Sequence, residues 1–260
     1  MLGETADHDA LLDRSKGYSK LFDGEEGGFF RAREGGSFAK HFDRYQWGTD
    51  YTEGGPYQYR FYVPHDAEGL ASLYASSGLD MCAELERSHE VAGAFHIGQY
   101  GNEIHEQTEM IDHCWGQYSH NNQPIHHMLY MYFFGGTKCA HKAQYYIRKV
   151  LSMLYRPDSK MFPGDEDNGE MGAWYVLSSI GLYNRNPGSG MYFLGSPLFS
   201  RAVLRLSSGN SLTIEATGNG KDSVYVKSAY FNGVKIEGFS VRYADIMAGG
   251  TLTFEMSSSY

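Results

Sequence analysis

The sequence predicts an α+β fold, with helices over residues 1–187 and antiparallel strands over 188–260. Three observations carry this reading. Apolar residues recur at helical spacing up to about residue 187, "NPGSG" at 186–190 breaks that spacing, and short alternating runs separated by turn pairs follow it. Helices followed by strands, rather than alternating with them, imply segregated layers.

The best-marked helix is "KCAHKAQYYIRKVLSMLY", where Ala143, Ile147, Val150, Leu151 and Leu154 form one stripe and Lys142, Arg148 and Lys149 lie off it. Further helices are expected over 8–22, 67–77, 78–92, 102–112, 125–134 and 169–182. The Gly-rich loops between them are too long and varied for an up-down bundle. The strands read as "AVLRL", "SLTIEA", "VYVKSAYF", "VKIEGF" and "TLTFEM", with Gly209-Asn210 and Asn232-Gly233 as turns.

At 260 residues the chain can bury one large core or two small ones, and 42% hydrophobic with 20% charged residues is ordinary for a soluble protein. The longest apolar run, "MLYMYFF", falls short of the ~18 residues of a membrane span. A net charge of −9 without clustered Lys or Arg excludes a nucleic-acid backbone as partner. Cys82, Cys114 and Cys139 cannot all pair and lack C-x-x-C spacing, so they are expected as buried small hydrophobes. The start "MLGETADHDALLDRS" shows no signal peptide. Aromatic content of 15% suits either a sugar site or an aromatic core.

Four polar clusters stand out, all in loops of the helical part. In "FPGDEDNGEMGAWYV", Asp165 and Asp167 on an extended loop would point the same way, ahead of a helix anchored by Ala173, Val176, Leu177 and Ile180. Such a pair can hold a metal, polarise a water or cap a helix. The EF-hand pattern fails, because Gly169 stands where a third ligand belongs. In "GNEIHEQTEM", Glu103, Glu106 and Gln107 at i, i+3 and i+4 would share a helix face as hard oxygen donors, or form a solvated acidic face. "HEQTE" misses the zinc-protease motif by its last residue. "NNQPIHH" sets Asn121 and Asn122 before Pro124, a helix start whose amides can also bind sugar or metal. "DYTEGGPYQYRFYVPHD" sets Glu53 among Tyr51, Tyr57 and Tyr59, and a carboxyl held against rings tends toward the raised pKa of a general acid.

In combination, "DYTEG", "QYRF.VPHD", "GNEIHEQTEM", "NNQP.HH", "PGDEDNG.M.AWYV" and "NPGS..Y.LGSPLF" resemble, in order, the catalytic half of glycoside hydrolase family 92, the calcium-dependent exo-acting α-mannosidases. The resemblance runs from about residue 2 to the end. It implies part of an (α/α)6 barrel over 1–187, and over 188–260 strands that pack on an N-terminal β-sandwich absent from this sequence. It also implies a secreted or periplasmic enzyme that releases terminal mannose from glycans with inversion, and a fragment inactive alone. A carbohydrate-binding remnant is the alternative.

By matching motif, Glu53 corresponds to the general acid and Asp167, supported by Asp165, to the general base, with Glu166 a bystander or a supporting group behind them. In an inverting pair the carboxyls stand ~6.5–9.5 Å apart, leaving room for water. Glu103, Glu106 and Asn122 are the implied calcium ligands, with Gln107 in reserve, and His65, Asp66, His126 and His127 match positions near the sugar. The sequence departs from the family at Pro56 and Tyr57, where Ala and Trp are usual, and in "NNQP", where many members read "GNEP".

Overall fold

The computed structural model describes residues 5–136 and 138–260. The chain divides between Ser119 and His120 into two units, so the later helices belong with the strands. The first unit opens with α1 (Thr5–Ser15), which tightens into a 3-10 turn over Lys16–Lys20 instead of running as one helix to residue 22. Two hairpins follow, β1 (Phe22–Asp23) with β2 (Phe29–Phe30) and β3 (Arg33–Glu34) with β4 (Ser37–Phe38), too short to show alternation in sequence. Then come α2 (Pro56–Tyr59), α3 (Ala67–Ser76), α4 (Met81–Glu90) and α5 (His105–Asp112).

Aspartates start α3 and α4. Asp66 Oδ1 accepts the Gly69 N–H at 3.2 Å, and Asp80 Oδ1 accepts that of Cys82 at 2.9 Å. Each such cap is worth ~1 kcal/mol. Phe22, Phe29, Trp47, Tyr57, Phe61 and Tyr74 are buried, so much of the aromatic content here is core. Among them Arg60 is 1% exposed, 2.5 Å from Glu84 Oε2 and 4.3 Å above the Phe29 ring. Removing Glu84 would leave the buried Arg60 guanidinium without its carboxylate, whereas Glu84 also pairs with the exposed Arg87 at 3.1 Å.

The second unit begins with α6 (Met128–Met131), a single turn between 3-10 segments, where a helix over 125–134 was expected. In α7 (Ala140–Met153) the predicted stripe is buried from Ala143 to Leu151, with Leu154 half-buried just past the helix end, but so is Arg148, which donates to Asn219 Oδ1 at 2.7 Å, Gly220 O at 3.2 Å and Pro197 O. Its long apolar stem follows the stripe inward while its head finds carbonyls. Helix α8 (Glu170–Ser179) buries Met171, Trp174 and Ser178. The expected stripe through Ala173 and Val176 is exposed, because bulky Trp174 claims the inner face.

Strands β5 (Leu182–Tyr183), β6 (Met191–Leu194), β7 (Arg201–Arg205), β8 (Ser211–Thr217), β9 (Tyr225–Phe231), β10 (Val234–Lys235) and β11 (Ser240–Arg242) precede α9 (Tyr243–Ala248) and β12 (Gly250–Ser257). They form a sheet ordered β11-β6-β5 and a larger one ordered β10-β9-β12-β8-β7. In β8 the alternation is plain: Leu212, Ile214 and Ala216 are buried while Ser211, Glu215 and Thr217 face water. They join Leu252, Phe254, Leu194 and Val241 in one apolar cluster. Burying each large side chain contributes roughly 1.5–3 kcal/mol. One pairing corrects the expectation of antiparallel strands: β12 runs parallel to β8 and antiparallel to β9. The long excursion through β9, β10, β11 and α9 supplies the crossover that parallel pairing needs.

The cysteines also differ from expectation. Cys82 and Cys139 are each disulfide-bonded, while Cys114 is free and exposed. Among the described residues no helix is long and apolar enough to cross a membrane.

Candidate active site

In the first unit, a loop carries Glu53 at its tip. The Gly48 N–H donates to Gly54 O at 2.8 Å, closing the loop, and Gln58 Oε1 accepts the Gly55 N–H at 2.9 Å. A Cβ at Gly55 would stand 2.8 Å from Gln46 O, so only glycine lets the chain enter α2 here. Glu53 itself is exposed, with φ 47° in the left-handed region. Tyr59 donates to Thr52 O at 2.5 Å, lies tilted against Tyr51 and meets Tyr62 edge-on. Burial, then the charges of Tyr62, Glu53 and Tyr100, push its phenol up to about 12. Tyr57 instead packs inward on Phe29.

Tyr100, which sequence reasoning missed, lies by this loop. Its phenol is raised by burial and by the carboxylates of Glu53 and Glu106, against a hydrogen bond from the Glu53 backbone. Two acids far apart in sequence therefore act on one hydroxyl. Glu103 departs from its expected place, because α5 begins at His105 and Ile104 is extended, leaving Glu103 ahead of the helix and off the shared face. Gln107 explains the late start: its Oε1 accepts the Ile104 N–H at 3.1 Å, half of a capping box. Glu106 and Glu109 each lie 3.2 Å from the His105 ring. Among the described residues no group of three His, Cys, Asp or Glu converges on a metal position. By donor type alone, Glu103 and Glu106 offer carboxylate oxygens and Asn122 an amide oxygen, the kind calcium takes, whereas the Gln107 carbonyl is engaged as a cap.

His65 and Asp66 stand at the entry to α3. His65 Nε2 lies 2.9 Å from Ser15 O and its ring meets Tyr18 edge-on. Asp66 Oδ2 accepts from Tyr18 at 2.6 Å and from Lys16 at 2.7 Å while Oδ1 caps the helix. Its carboxylate is committed to the fold.

In the second unit the acidic loop is anchored at both ends. A Cβ at Gly164 would lie 2.4 Å from Asn121 O, so glycine brings the loop backbone against the "NNQP" segment. Gln123 Nε2 donates to Asp165 O at 3.4 Å. Glu166, expected as a bystander or a supporting group, accepts N–H groups from Gly169 and Gly172 and thereby caps α8. Asp167 and Asn168 have φ of 52° and 59°. The premise of an extended loop with both aspartates aligned therefore does not hold; the chain reverses at Asp167 to enter the helix. Asp165 and Asp167 are both exposed.

Beneath the loop, His126 is 1% exposed, with Nε2 at 2.9 Å from His120 O and Nδ1 at 2.8 Å from Glu170 Oε2. Trp174 Nε1 donates to His126 O at 3.2 Å. His120 stacks on His126 at 4.4 Å and reaches Tyr155 Oη at 3.0 Å; that hydroxyl lies 3.3 Å from Met171 O. Asn122 and His127 are buried, Asn122 leading the 3-10 turn Gln123–Ile125 without a side-chain cap bond.

The comparisons agree with the ordered motifs. The profile of the "Glycosyl hydrolase family 92 catalytic domain" matches residues 1–258. The α-mannosidase BT3965 from Bacteroides thetaiotaomicron superposes at TM-score 0.82 and 30% identity, over 99% of this chain and 32% of its own. The inverting mannosidase BT2199 from the same organism gives TM-score 0.82 and 33% identity, over 99% and 35%. An uncharacterized secreted glycosidase of Arthroderma benhamiae is 22% identical over 95% of this chain and 32% of its own. The chain thus spans about a third of the length of these relatives. From its profile and its fold, the chain belongs to glycosyl hydrolase family 92.

Proposed function

We propose that the chain is the catalytic portion of an exo-acting α-mannosidase that removes terminal mannose from glycans with inversion. Family membership sets the reaction class, and the observation that carries the assignment is the acidic loop, fastened at Gly164, Gln123 and Glu166 so that Asp165 and Asp167 remain exposed. Glu53, at its loop tip, donates a proton to the glycosidic oxygen as the bond to the anomeric carbon breaks. Asp167, with Asp165 beside it in sequence, takes the proton of the water that attacks the opposite face.

His65 and His127 contact the sugar, while Asp66, bonded to Tyr18, Lys16 and the Gly69 N–H, holds the start of the helix that follows. Calcium, held by Glu103, Glu106 and Asn122, would supply a hard Lewis acid for sugar hydroxyls. The remaining features of the reading are an (α/α)6 barrel over 1–187, a β-sandwich partner for 188–260, and an isolated 260-residue chain without activity. Secretion accords with the disulfide-bonded Cys82 and Cys139, since disulfides persist in oxidising compartments. Proton NMR of the first product tests the mechanism: β-mannose appearing before mutarotation is expected, and α-mannose first would overturn inversion.

A further inference from the structure

His126 matched a position near the sugar, yet its ring is buried and both nitrogens face oxygen acceptors, His120 O at 2.9 Å and the Glu170 carboxylate at 2.8 Å. A side chain so placed has no donor left for a substrate. Its partners are informative. Glu170 is the first residue of α8, immediately after the reversal at Asp167, Asn168 and Gly169. His126 itself closes the 3-10 turn that Asn122 begins.

We infer that His126 is a positioning residue: through Glu170 it locks the end of the acidic loop to the "NNQP" segment, so that Asp167 and Asn122 keep one fixed relation. Three further bonds make the same connection. Trp174 Nε1 donates to His126 O, and Tyr155 links His120 to Met171 O. At the other end of the loop, Gln123 and the close approach of Gly164 to Asn121 hold Asp165. Between these ends the backbone at Asp167 sits in the left-handed region, which non-glycine residues occupy only when their surroundings enforce it. The His126–Glu170 contact, buried on the histidine side, is part of that enforcement. A hydrogen bond to a carboxylate is stronger than one between neutral groups, and the buried ring gives it a fixed direction.

The inference rests on the reading of Asp167 as general base, and its test separates the two. In the full-length protein, His126→Leu is expected to lower kcat on a mannoside about a hundred-fold with little change in KM, the cost of a misplaced reacting group. His126→Asn, whose amide can reproduce the Nδ1–H, and Glu170→Gln, whose carbonyl can accept from it, should each stay within ten-fold of wild type. Glu170→Leu, on the half-exposed side of the pair, should fall with His126→Leu and serves if the histidine variant does not fold. Amide exchange of a peptide covering 164–172 should accelerate in both leucine variants. A raised KM at unchanged kcat would place His126 on the sugar and overturn the inference, as would unaltered exchange. Accelerated exchange in a protein whose wild type releases no mannose would retain the clamp and reject the mannosidase reading.

Discussion

Glu166 holds the N-terminus of α8: its Oε2 accepts the Gly169 N–H at 2.7 Å and its Oε1 that of Gly172 at 3.1 Å. Two orphan donors and the positive end of the helix dipole are met by one carboxylate. Glu166→Ala is expected to cost ~1–2 kcal/mol in urea unfolding. An unchanged midpoint would show that the loop needs no such anchor.

Removing the general acid should be selective. Glu53→Gln is expected to cripple hydrolysis of an unactivated mannoside while sparing much of the activity on an aryl mannoside with a good leaving group, which needs less protonation. Equal losses on both substrates would assign the acid elsewhere.

Calcium should be replaceable only by similar ions. All donors assigned to it are oxygens, which hard cations prefer, so chelation should abolish turnover and calcium should restore it where zinc does not. Full activity after exhaustive chelation would remove the metal from the mechanism.

Asp66 should make stability depend on acid. Burial alone would raise its pKa, but Lys16, Tyr18 and the Gly69 N–H together hold it below the ordinary carboxylate range. A lowered folded value means that its contribution is complete above the unfolded value near ~3.9 and fades as pH falls through the folded one. Asp66→Ala should therefore destabilise by at least ~1 kcal/mol at neutral pH, the worth of the lost cap. The gap from wild type should narrow in unfolding titrations below about pH 4. A gap independent of pH would deny the ionic part.

Much of the fold was legible because periodicity reports burial directly: the stripe of α7 and the alternation of β8 appear as read. Where a single large side chain decides the inner face, as Trp174 does in α8, spacing alone misled. Parallel pairing of β8 with β12 left no local trace, since register between distant strands is not written in either strand. The acidic residues of the candidate site were visible by type. Their supports were not: Tyr100, Glu170 and His120 act through contacts made only after folding, and Gln107 moved the start of α5 past Glu103 by capping it.

The placement of β12 bears on how the second unit comes into being. It is the last strand of this chain yet lies third of five in its sheet, between β9 and β8. While the polypeptide emerges from a ribosome, β7 and β8 can pair, as can β9 and β10, but these are two separate hairpins with their inner edges bare. Neither hairpin is stable alone in water. Only when residues through Ser257 are free can one strand slot between them and bury Leu252 and Phe254. The sheet is thus closed by its latest-made piece, a non-local step that folds slowly and leaves adhesive edges for its whole duration. A chain stopped at residue 249 should join the aggregates rather than the soluble fraction.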